Sequence, residues 1–128
     1  MILVDTSVVI DHLRGKDPKL TALLPALPVA VCGVTRAEVL CGSLNPANRQ
    51  KLLMNFAAFQ FLPIPEALWD VIGDNLAALR AGGLTIPFPD AVIVSVAIAN
   101  GMELWTRDQH FTLVKRLLPA LKLFQEPP

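Results

Sequence analysis

The stretch ILVDTSVVIDHLRG, residues 2–15, decides the fold. Residues 2–4 are short, apolar and branched, the composition of a buried strand. Asp5 interrupts the apolar run, residues 7–14 take up helical spacing, and Gly15 closes them. A strand that turns directly into a helix is the repeating unit of a parallel α/β sheet.

The same pattern recurs along the chain. Residues 29–32 (VAVC) form a second apolar strand. Thr35 then resembles an N-cap, with Glu38 three residues on as in a capping box, and the helix it opens is expected to run to about residue 44 on an apolar face of Ala37, Leu40, Cys41 and Leu44. Short helices are expected at 19–24 and 47–59. Residues 61–64 read as a strand that Pro63 confines to a sheet edge. Residues 66–81 place Leu68, Val71, Ile72, Leu76 and Leu79 on one helical face, ended by Gly82-Gly83. Residues 90–100 are almost wholly apolar, so that helix is buried on most sides. In LWTRDQHF, residues 104–111, a buried strand passes into a helix expected over 108–118, and residues 122–124 suit a last strand. Alternating elements of this kind predict a central, mostly parallel sheet flanked by helices, in one domain spanning 1–128.

Composition bounds the function. Apolar residues make up 53% of the 128, and charged residues only 17%, which implies a large core and some apolar surface for a partner. Net charge is zero, so bulk charge does not demand a nucleic-acid partner, while a local basic rim would still suffice for one. The longest uncharged run, 20–35, contains Pro25 and Pro28 and falls short of the ~20 apolar residues of a spanning helix. The N-terminus has no basic leader of a signal peptide, so a cytoplasmic location is expected. Cys32 and Cys41 lack metal-ligand companions and read as buried free thiols.

Asp5, Glu38, Asp90 and Asp108 each follow a strand or open a helix. In a parallel sheet, ligands sit beyond the carboxyl ends of the strands, and these acids could meet there. Each also has a plain explanation: the aspartates could cap helices, and Glu38 could complete the box with Thr35. The elements they terminate are the most buried in the chain. Carboxylates gathered in such partly dry surroundings repel one another, and a hard divalent cation removes the conflict. With no His or Cys cluster, Mg²⁺ or Mn²⁺ suits the set better than zinc, and metal-assisted phosphodiester hydrolysis is the chemistry such a site supports.

The segments ILVDTSVVIDHLRG, VTRAEVLCGS, IPFPDAVIVSVAIANG and ELWTRDQHF are similar to those of the PIN-domain ribonucleases, and within them of the VapC-like toxins of toxin–antitoxin pairs. The resemblance runs from residue 2 to 111. It implies a PIN-like three-layer sandwich, an endoribonuclease, and an acidic quartet of Asp5, Glu38, Asp90 and Asp108 around Mg²⁺ or Mn²⁺. Asp5, Asp90 and Asp108 are expected as the metal ligands, and Thr6 or Ser7 as the hydroxyl beside the first acid. It further implies an RNA substrate, a homodimer, and a cognate antitoxin occupying the active-site groove.

Beside the acids, Arg107 is expected to touch substrate phosphate or to lie free in solvent, and Arg14, Lys16, Arg36, Lys115 and Arg116 could add to a basic rim. His110 is expected on a helix surface, Asp11 on a surface or behind the site, and Trp69 and Trp105 in the core. The helices LLMNFAAF and EALWDVIGDNLAAL could expose strips for the dimer or antitoxin. Two alternatives remain: a non-catalytic α/β interaction module whose acids are only caps, and a PIN-type nuclease of RNA maturation.

Overall fold

The computed structural model describes residues 1–128. Five strands, β1 (Ile2–Val4), β2 (Val29–Cys32), β3 (Gln60–Leu62), β4 (Glu103–Trp105) and β5 (Lys122–Leu123), form one sheet in the order β3-β2-β1-β4-β5. Every pairing is parallel. Seven helices connect them: α1 (Thr6–Arg14), α2 (Pro18–Ala26), α3 (Gly33–Cys41), α4 (Pro46–Phe56), α5 (Leu68–Ala81), α6 (Phe88–Ala99) and α7 (Phe111–Leu117). From β1 the chain steps outward to β2 and β3, then returns across β1 to add β4 and β5. The order therefore reverses between β1 and β4, and their carboxyl ends diverge into loops bounding a crevice.

The period-2 alternation of strands separates two cores. Leu3, Ala30, Cys32 and Leu104 face a cluster with Leu68, Ile72, Leu79, the apolar run of α6, Phe111, Val114 and Leu121. Ile2, Val4, Val31 and Trp105 face the opposite cluster with Val8, Val9, Leu20, Leu24, Val39 and Phe56. Helices α5–α7 thus cover one face and α1, α2 and α4 the other, which is the expected three-layer sandwich. The all-apolar α6 buries residues 91–97, with one polar tie: Asn75 of α5 donates to Ser95 Oγ (2.9 Å), and Ser95 donates to the Ala91 carbonyl (2.7 Å). Gly15 closes α1 at φ +65°, left-handed backbone that favours glycine. At Gly82 a Cβ would stand 2.7 Å from Leu117 Cδ2, so the absence of a side chain admits that leucine.

Several expectations need correction. Helix α3 begins at Gly33, its N-cap is Cys32, and no side chain caps it. Thr35 is buried inside the first turn with its hydroxyl unpaired, so the capping box does not form. The earlier start also rotates the buried face of α3 onto Thr35 and Val39; Cys41 is an exposed thiol, not a buried one, and Leu44 lies past the helix, 86% exposed. Val71 and Trp69 are exposed on α5, because its start at Leu68 directs Leu68, Ile72 and Leu79 inward. Helix α4 ends at Phe56, and β3 starts at Gln60, an edge strand that stops before Pro63. No helix is long and apolar enough to cross a membrane.

Ile93 of α6 is 1% exposed at the centre of the larger core. We expect Ile93→Ala to cost about 2–5 kcal/mol, read as a lower urea midpoint; a loss well under 1 kcal/mol would contradict the packing described.

Candidate active site

Asp5 sits one residue past β1, where its backbone N–H donates to the Trp105 carbonyl at 3.0 Å and extends the β1–β4 ladder. Its carboxylate is nearly sealed from solvent, 4% exposed. Oδ1 accepts from the Ser7 hydroxyl (2.6 Å) and the Val8 N–H (3.3 Å), and Oδ2 accepts from the Thr106 hydroxyl (2.6 Å). Asp5 therefore caps α1 and also faces the crevice. Burial pushes its pKa up, against the hydrogen bonds from Ser7, Thr106 and Val8.

The other acids arrive from different elements. Glu38, in α3, accepts from the Thr6 hydroxyl of α1 at 2.6 Å. Asp90 lies in the first turn of α6, whose entry is set by Pro87 and Pro89 rather than by a side-chain cap, so its carboxylate is left for the crevice. Burial, opposed by His110 and reinforced by Glu38, Asp5 and Asp108, raises the Asp90 pKa. Asp90 is thus within electrostatic reach of the other three acids. Asp108 does not cap α7, which begins at Phe111; its Oδ1 accepts from the His110 N–H (3.1 Å) in a tight turn.

His110 departs from expectation. It precedes α7, stacks on the Phe111 ring, and turns its edge to the acids: Nδ1 is 2.6 Å from Asp108 Oδ1, and Nε2 is 3.2 Å from Asp90 Oδ2 without hydrogen-bond alignment. The D-x-H spacing was the available signal. Thr106 was also missed; its hydroxyl serves Asp5 and accepts the Asp108 N–H at 3.0 Å. Ser7 similarly accepts the Arg107 N–H at 3.1 Å. Trp105 is in the core as expected.

Arg107, expected at substrate phosphate or free in solvent, is committed elsewhere. Its guanidinium pairs with Asp11 (3.2 Å), with Asp17 at the N-cap of α2 (2.8 Å), and with Glu126 near the C-terminal end (2.9 Å). Glu126 also accepts from Trp105 Nε1 at 2.9 Å. These bonds raise the Arg107 pKa, that of Glu126 foremost, and hold Glu126 below the usual carboxylate range in spite of burial. The loop 106–108 is thus gripped on its inner side by Asp5 and Ser7 and on its outer side by three acids. Of the other candidate rim cations, Arg36 lies over the Phe61 ring (5.2 Å), and Lys115 donates to the Leu121 carbonyl.

The donor set suits a hard cation: oxygen ligands, partly buried, with excess negative charge and no cysteine. Yet no three of the chain's Asp, Glu, His or Cys side chains enclose one cation position, so the expected ligand trio of Asp5, Asp90 and Asp108 is not preassembled. Local hydrogen bonds hold the carboxylates: Ser7 and Thr106 occupy Asp5, and His110 lies between Asp90 and Asp108. Ligation would require the exposed Asp108 and the half-buried Asp90 to turn from His110.

The PIN domain family profile matches residues 2–117. The chain belongs to the PIN domain family. It is 31% identical to Ribonuclease VapC10 of Mycobacterium tuberculosis over 123 residues, 93% of this chain and 92% of that protein. Among solved structures it is similar to the toxin-antitoxin complex from Klebsiella pneumoniae (25% identity, TM-score 0.69, 99% of this chain and 100% of that one). VapBC2 from Rickettsia felis shares the fold at 22% identity, with a TM-score of 0.83 over 97% of this chain and 98% of that one. The PIN fold and the family resemblance read in the sequence are therefore borne out.

Two outcomes test the electrostatics. Asp90 holds its proton more readily folded than unfolded, so stability falls as pH rises from the ordinary value of 3.8 through the raised folded value, and the deficit persists at neutral pH. In metal-free protein, Asp90→Asn should raise Tm at pH 7 and raise it less at pH 4; an equal change at both would rule out the raised Asp90 pKa. Arg107→Met strands three acids that are a quarter to two-fifths exposed. We expect a lower urea midpoint, by less than removal of a partner from a fully buried pair would give; an unchanged midpoint would contradict the bracing role.

Proposed function

We propose that this chain is an Mg²⁺- or Mn²⁺-dependent endoribonuclease, the toxin of a toxin–antitoxin pair, acting as a homodimer. The single observation that carries the proposal is the set of contacts tying the four acids across the β1/β4 reversal: Thr6, next to Asp5, donates to Glu38, Thr106 of the Asp108 loop donates to Asp5, and His110 touches both Asp90 and Asp108. Its likeness to a VapC ribonuclease supports RNA as substrate.

Asp5, Asp90 and Asp108 would hold the cation, which when bound supplies Lewis-acid polarisation of the phosphoryl oxygen and a lowered pKa for an attacking water. Asp5 is the rigid member, fixed by Ser7, Val8 and Thr106. Glu38, oriented by Thr6, would act as the base: its Oε would accept the proton of the water whose oxygen bonds to phosphorus as the bond from phosphorus to the leaving oxygen breaks. Thr6 and Ser7 contribute by orienting Glu38 and Asp5, and Arg107 by holding the loop that carries Thr106 and Asp108.

An antitoxin partner is supported by the toxin-antitoxin complex among the structural relatives and by a groove of about 500 Å³ between α1, α3 and α4. Ile10, Leu13, Val39 and Leu52 line it, with Arg14 and Glu38 at its polar side. A segment lying there would reach the acid on which proton transfer depends.

Purified protein with Mn²⁺ should cleave RNA, EDTA should stop it, and Asp5→Asn or Asp90→Asn should lower the rate about 10²-fold or more while the circular-dichroism spectrum stays native. Added Mn²⁺ should raise Tm, since a ligand of the folded state must. Cleavage that survives EDTA and both substitutions would end the proposal.

A further inference from the structure

A cavity of about 350 Å³ opens between the loop after β4 and the C-terminal segment after β5, lined among others by Thr106, Asp108, Gln109, Thr112, Phe124 and Gln125. It lies beyond the carboxyl ends of adjacent strands, the edge of a parallel sheet where ligands bind, and it shares Thr106 and Asp108 with the acid site. Its volume is at the lower end of the roughly 300–1,000 Å³ of small-ligand pockets.

The lining selects the occupant. Arg107 borders the cavity, but its guanidinium is paired with Asp11, Asp17 and Glu126, and Asp108 and Glu126 add negative charge. A phosphate would meet repulsion with no free cation to offset it. The amides of Gln109 and Gln125 make no hydrogen bond within the chain, whereas the surrounding walls are tied down. Thr112 donates to the Gln109 carbonyl (2.7 Å), Phe124 N–H donates to the Leu104 carbonyl (2.8 Å), and Glu126 is held by Arg107 and Trp105. Phe124, backed by Trp105 at 4.7 Å between ring centroids, is a fixed apolar wall, and paired amide donors and acceptors beside such a wall suit a neutral, planar, hydrogen-bonding group such as an unstacked base of single-stranded RNA.

We propose that this cavity seats one base of the RNA next to the scissile phosphate, and that Gln109 and Gln125 set which base is preferred. The proposal rests on the ribonuclease function above. It makes the C-terminal segment, latched by Glu126 to Arg107, a wall of the substrate site.

The test compares cleavage of four oligoribonucleotides that differ only in the nucleotide flanking the cut, by the wild-type chain, Gln109→Ala and Gln125→Ala. Both glutamines are exposed, so both variants should fold. The wild type should discriminate among the four, and at least one variant should flatten the ratio of kcat/KM by about tenfold, the discrimination typical of an amide–base contact. Unchanged ratios in both variants would overturn the subsite while leaving the nuclease intact. A second measurement does not depend on cleavage: the side-chain amide NMR signals of Gln109 and Gln125 should move on adding ribonucleosides and stay put with inorganic phosphate. If nucleosides move them while no RNA is cut, the cavity binds a base but the nuclease function falls, and with it the place beside a scissile phosphate; if phosphate alone moves them, or nothing does, the subsite falls.

Discussion

The structure depends on how one buried carboxylate is kept. Asp5 ends the central strand at 4% exposure, where an ion without partners costs far more than a hydrogen bond returns. It is tolerated because donors come from both sides of the sheet reversal: Ser7 and Val8 from its own helix, and Thr106 from the loop after β4. The same bonds that solvate Asp5 fix where that loop leaves β4, and hence where Asp108 and His110 sit. The helix that Asp5 caps starts at the carboxyl end of β1, beside β4, so the cap also stands at the sheet reversal.

Charge is organised around loop 106–108 in two opposed groups. On the inner side, Asp5, Glu38, Asp90 and Asp108 bring four carboxyl groups together, with the His110 ring set against Asp90 and Asp108. On the outer side, Arg107 gathers Asp11, Asp17 and Glu126. A chain of zero net charge thereby carries a locally anionic crevice beside a neutralised arginine. Bulk composition said little because the distribution of charge, not its sum, sets the field at a cleft.

Much of the fold was legible because its signals are local. The apolar runs at 2–4, 29–32 and 103–105 became strands with those bounds, and the apolar stretch in α6 became the most buried helix. The positions of Asp5, Glu38 and Asp90 at or near element ends were legible in the same way. Less legible were features set by small shifts of register. Starting α3 at Gly33 rather than after Thr35 moved its buried face and dissolved the apparent capping box. Starting α7 at Phe111 left His110 outside the helix, free to turn back to Asp90 and Asp108. The partners of Arg107 could not be read at all, since Asp17 caps α2 and Glu126 lies past the last strand; nothing in sequence spacing announces a contact between them.

By itself, the sequence determined the elements, their parallel α/β arrangement and the chemical character of the site, because hydrophobic periodicity and oxygen-rich side chains at element ends are properties of short segments. Only the tertiary structure decided which hydroxyl holds which carboxylate, that Arg107 braces a loop, and that the C-terminal segment walls a cavity beside the acids. Those outcomes depend on the strand order β3-β2-β1-β4-β5, which places β4 against β1 and β5 against β4, and so brings residues about a hundred positions apart, such as Asp5 and Thr106, within a hydrogen bond of each other.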